Sequence, residues 1–227
     1  MKYIVAFITA AVCAVLSYTT LDKKITDKIK LLNFTNAEEK FSSKEFTQFQ
    51  RIIITVFVFT VSFASGCCIM QYFTDILNMS KMFVSLFCLT GAACVDFREH
   101  RIPNIFPLFM AGLGIVFLTL GFILSQDGAV SYVISSIFAT VCTALCLLIA
   151  SLLTKHGIGA GDIKLLCALS IIGGANVVGG TVFFGMIICA LTAAVLLISK
   201  KKNMKESLPF GPFIYLGFII SVLTTIY

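Results

Sequence analysis

Two carboxylates, Asp96 and Asp162, stand where apolar runs meet basic loops in a chain that is 59% hydrophobic and only 12% charged. An ionised group beside hydrocarbon costs several kcal/mol, so acids at the ends of apolar helices are candidates for function. Brought together, two carboxylates cannot both ionise readily: one keeps a proton while the other stays charged. The charged partner can take a proton from water, which then attacks a carbonyl carbon, and the protonated partner can donate to the developing oxyanion. That chemistry needs no metal, no cofactor and no covalent intermediate. Its titration belongs to the pair, so acid and base are not assigned to individual residues.

The surroundings of both acids are distinctive. Asp162 lies in the run Gly157-Ile158-Gly159-Ala160-Gly161-Asp162-Ile163-Lys164. The glycines allow tight turns and close helix approach. By itself Asp162 also suits the first turn of a helix, where a carboxylate complements the dipole. Lys164 is either a snorkelling cation or a supporting group at the site. Around the first acid the order is Asp96-Phe97-Arg98-Glu99-His100-Arg101-Ile102-Pro103-Asn104. Pro103 suits the first turn of the following helix, which predicts a sharp reversal with Asp96 ending one helix and Asn104 starting the next. Arg98 is a headgroup-level charge or a supporting residue. His100 and His156, one in each of these loops, read as solvated histidines rather than ligands.

The elements that must position these groups follow from composition. A mean hydropathy of +1.01 makes this an all-α, polytopic integral membrane protein. About 20 apolar residues span the bilayer, which yields about eight transmembrane helices near 3–21, 51–70, 82–96, 104–124, 129–153, 162–178, 180–199 and 208–226. A helix from Asp162 that stopped at Gly173-Gly174 would be only about 17 Å long; continued to 178 it approaches full span. With eight spans, every Lys and Arg except Lys2 and Lys81 falls on one side. The positive-inside rule makes that side cytoplasmic, with both termini outside and both aspartates at the cytoplasmic face.

The chain reads as one membrane domain, 1–227, with the first apolar run retained as a span and a short polar cytoplasmic segment at 22–50. That segment has the periodicity of a helix lying on an anionic leaflet, or is a solvated linker. Ser42 and Glu45 have capping-box spacing, so the second span is expected to begin before Arg51. The net charge of +6 is spread over short loops, which fits topology control and not nucleic-acid binding. The nine cysteines fall in apolar runs without a CxxC pair and read as packing residues.

Asp96 with Ile102-Pro103-Asn104, the GxGDxK run from Gly159 to Lys164, and Pro209-Phe210-Gly211-Pro212 opening the final span together resemble the type IV prepilin peptidases, relatives of the preflagellin peptidases. The likeness extends over about residues 90–220. It implies a GxGD-type aspartic endopeptidase of a prokaryotic inner membrane, removing short basic leaders from prepilin or pseudopilin precursors at the cytoplasmic face. By the resemblance Asp96 and Asp162 are catalytic, with Gly159, Gly161, Lys164, Arg98, Pro103, Asn104, Pro209 and Gly211 supporting them. Longer members carry paired CxxC motifs after the first span, and bifunctional members methylate the new N-terminus. Here 22–50 is free of cysteine, which leaves zinc binding unsupported and N-methyltransferase activity in doubt. The family's glycine-, asparagine- and arginine-bearing first span is not recognisable in 3–21 either. The competing class is a proton- or cation-coupled transporter using the two acids as a relay, which predicts carboxylates near the midplane and an inverted repeat. A noncatalytic partner of a pilus or secretion assembly leaves the acid pair unexplained.

Overall fold

A computed structural model of the protein describes residues 2–22, 47–72, 75–124, 129–153, 159–199 and 208–224. Among these residues the elements are all helices: α1 (Lys2–Thr20), α2 (Gln48–Tyr72), α3 (Ile76–Glu99), α4 (Ile105–Ile123), α5 (Ala129–Leu153), α6 (Ala160–Ile198) and α7 (Gly211–Thr224). Six of them are long and apolar enough to cross a membrane, and α7 is a shorter apolar helix. The protein is a polytopic membrane protein. Large apolar side chains such as Ile134, Phe138, Leu145 and Leu152 on α5 stand exposed, a face that only hydrocarbon can cover at low cost.

One span is corrected and the turn between two others is moved. The span expected at 82–96 is the longer helix Ile76–Glu99, in which Lys81 is helical and 4% exposed instead of marking a loop. Its ammonium lies 3.9 Å from the Tyr132 ring centroid, a cation–π contact that lets a charge sit inside an apolar helix bundle. The spans expected at 162–178 and 180–199 correspond to the two halves of α6, which breaks a few residues earlier than expected, where the backbone of Gly174 takes φ 69°, ψ −172°. A straight helix would separate Asp162 from Ala193 by about 45 Å, yet both line one cavity, so the chain folds back near that glycine.

Reversal inside the bilayer frees backbone carbonyls just before Gly174, and a side chain from a neighbouring helix reaches one of them. The Tyr132 hydroxyl donates to the Ile172 carbonyl; in the returning half, Ser221 Oγ of α7 donates to the Val177 carbonyl at 3.1 Å and ties the two helices together. The second half of α6 then packs closely on α7, where Gly185 and Gly217 bring the backbones together. Helix α3 runs through the middle of the bundle, touching α1, α4, α6 and α7, and the core gathers around Leu86, Leu89, Leu166, Leu169 and Phe218.

The start of α2 is set by a reciprocal cap: Thr47 N–H donates to Gln50 Oε1 (3.1 Å) and Gln50 N–H to Thr47 Oγ1 (3.4 Å). The helix thus begins before Arg51, as expected. Ser42, Glu45 and the amphipathic pattern of 22–50 lie almost wholly outside the described residues, as does His156.

Candidate active site

Asp96 occupies the last turn of α3. The helix ends because Pro103 disfavours α-helical backbone at Ile102, and His100 closes it in the left-handed conformation (φ 53°, ψ 31°), its N–H donating to the Asp96 carbonyl at 2.8 Å. After three non-helical residues Asn104 caps α4. Pro103 therefore stands just before the helix and not inside its first turn. Asp162 lies three residues after the N-cap Gly159 of α6, in the first turn. Its N–H donates to the Gly159 carbonyl at 3.1 Å, and a backbone hydrogen bond from Gly159 reaches its carboxylate.

Close packing brings these helix ends together. A Cβ on Gly161 would lie 3.0 Å from Ile102 Cβ, so the start of α6 presses on the α3–α4 connection. Lys164 Nζ donates to Asn104 Oδ1 at 3.2 Å across the same contact. From the other side the Gly211 N–H, at the start of α7, donates to Asp96 Oδ2 at 2.7 Å. A Cβ at position 211 would lie 2.9 Å from Asp96 Cβ, so the donor reaches the carboxylate only because the residue is glycine.

Asp96 is 4% exposed and Asp162 partly buried, with no hydrogen-bond partner for Asp162 Oδ1. Two cavities meet at the pair. One, of about 370 Å³, has Asp96 and Asp162 in its wall with His100, Arg101, Asn104 and Lys164. The other, of about 790 Å³, is lined by both acids and His100 together with mostly apolar residues of α5, α6 and the 208–210 segment. Two carboxylates facing a common space can share one proton and activate water.

The family segment begins inside α3 and ends inside α6: the type IV leader peptidase family matches residues 82–195, half of the chain. The chain belongs to that family. Both aspartates lie in the matched part, while α1, α2 and the α7 motif lie outside it. Among curated proteins the chain is similar to the prepilin leader peptidase/N-methyltransferase of Bacillus subtilis (strain 168), 32% identical over 79 residues, covering 35% of this chain and 32% of that protein. It is also similar to the proteins of that name from Pseudomonas aeruginosa, 24% identical over 136 residues (60% of this chain, 46% of the relative), and Pseudomonas putida, 36% over 69 residues (30% and 24%). The matched parts therefore span less than half of each relative's own length. No solved structure matches the chain.

Within this leader-peptidase segment and its flanks, the sequence-derived candidates divide clearly. Asp96, Asp162, Gly159, Gly161, Asn104 and Lys164 line the polar cavity, Pro209 lines the apolar one, and Gly211 bonds Asp96. Arg98, 1% exposed, and Pro103 line neither. His100 was expected in solvent; it is half-buried and faces both cavities, because it is the C-cap of the helix that carries Asp96. Cys146 and Cys189, expected to be packing residues, line the apolar cavity. Their helical spacing is indistinguishable from that of any membrane helix, so only the fold-back of α6 reveals them.

Proposed function

We propose that the chain is a GxGD-type aspartic endopeptidase that removes leader peptides from type IV prepilin or pseudopilin precursors at the cytoplasmic face of a prokaryotic inner membrane. The observation that carries the reading is the convergence of Asp96 and Asp162, from helices distant in sequence, on the same two cavities. The ionised member of the pair takes a proton from water as the oxygen attacks the scissile carbonyl, and the protonated member donates to the carbonyl oxygen. Collapse of the tetrahedral species breaks the C–N bond, with a proton passing to the departing amine and the pair returning to one shared proton. The Gly211 amide orients Asp96 for this, as a second-layer donor fixes a catalytic carboxylate.

The substrate class is taken from the family and from the names of the relatives, and the membrane face from the segregation of basic residues. Methyl transfer is not included in the proposal, since 22–50 carries no cysteine. In membranes containing this chain, a prepilin-like precursor should be shortened at its leader junction, detected by mass. A precursor that stays intact with the parent chain present would sink the reading. A labelled methyl donor in the same assay reports separately on N-methylation.

A further inference from the structure

The two aspartates open onto two different surroundings. One cavity is walled by Arg101, Asn104 and Lys164, whereas the other is bounded by Ala150 of α5 and by Val182, Met186, Ala190 and Ala193 of the second half of α6. These α6 positions are spaced four, four and three residues apart, so they form one stripe on a single helix face. Met186 and Ala190 are exposed, and alanine at 190 and 193 leaves the backbone open to close approach by another helix. The stripe leads directly to both carboxylates, because Asp96 and Asp162 line the same cavity.

Any polypeptide whose scissile bond reaches the acids must leave them through one cavity or the other. On the α5–α6 side it meets an apolar wall in hydrocarbon, where an extended strand would carry unsatisfied N–H and C=O groups and a helix would not. We propose that this cavity seats an apolar, membrane-embedded helix of the substrate, running along α6 with one end beneath Asp96 and Asp162. The proposal rests on the peptidase reading above and locates its specificity. Ala190 and Ala193 set how closely the helix approaches, and Met186 adapts to its side chains.

Native cysteines make the seat testable in the full chain in its membrane. Cys146 and Cys189 line the cavity, while Cys67 and Cys68 lie on α2. A precursor with one cysteine in its apolar segment is mixed with the Asp96→Asn variant, which holds it uncut, and oxidised with copper phenanthroline. The expected disulfide joins it to Cys146 or Cys189 and disappears when both are serine. In a second arm, Ala190→Leu in the otherwise intact chain raises KM about tenfold with kcat little changed, as overpacking of a contact surface would. A chain that cuts the precursor but cross-links it only through Cys67 or Cys68, or through none of its cysteines, with KM unmoved in Ala190→Leu, overturns the seat. A chain that forms the Cys146 or Cys189 disulfide yet never cuts overturns the peptidase reading and leaves the seat standing.

Discussion

Gly211 links backbone geometry to the proposed chemistry most tightly. Its amide donates to Asp96 at 2.7 Å, and the missing side chain is what allows that approach. Gly211→Ala would drive a methyl group into Asp96 or push α7 away. A displacement of this kind is expected to lower kcat by about 100-fold while leaving the protein folded, measurable by precursor cleavage alongside thermal unfolding. The proton inventory gives a second expectation. Below the titration of both acids the base is lost, and above it the proton donor is lost, so kcat/KM should pass through a maximum and fall on each side. Asp96→Asn leaves no such acid–base pair to titrate. The aspartates and the glycine and proline motifs were legible in the sequence because each imposes a local constraint that few other residues meet. The place of His100 was not, since it depends on a left-handed C-cap that only the closing of α3 reveals.

Helix α6 decides how the site is assembled. The carboxylate-bearing half runs from Gly159 to the break at Gly174, and the second half returns to wall the apolar cavity. At φ 69°, ψ −172° the backbone occupies a region that side chains strongly disfavour, so Gly174→Ala should cost about 1–3 kcal/mol. Tyr132→Phe removes the hydroxyl that donates to Ile172 and should cost about 1 kcal/mol. Both are expected to lower the Tm of the detergent-solubilised protein, with Gly174→Ala lowering it more; an unchanged Tm in both would contradict this account of the reversal. The glycine pair at 173–174 was visible in the sequence as a stopping point, but whether the helix stopped or continued depended on a donor from α5, the Tyr132 hydroxyl on the Ile172 carbonyl. Lys81 misled in the opposite direction. A cation normally marks a loop, and here the Tyr132 ring shelters it within α3.

At the scale of the molecule, hydropathy alone was enough to reveal a multi-pass membrane protein, because the exposed faces of α4 and α5 have no soluble counterpart. Where the chain turns between 162–178 and 180–199 was less legible, since the break falls at Gly174 and not near 178. The alternation of basic loops predicts that reporter fusions within 200–207 are active on the cytoplasmic side and that fusions at either terminus are active outside. Termini on opposite sides would require an odd number of passes, and any cytoplasmic terminus would separate charge segregation from topology. The central claim is that Asp96 and Asp162 work as one unit. The direct test is single-turnover cleavage of a prepilin-like precursor by the protein in lipid vesicles, comparing the parent with Asp96→Asn and Asp162→Asn. Each variant should accumulate normally, retain the parent's unfolding temperature to within a few degrees and lose cleavage to below about one part in a thousand, since either loss removes the shared proton's partner. Cleavage at the parental rate in either variant would contradict the account.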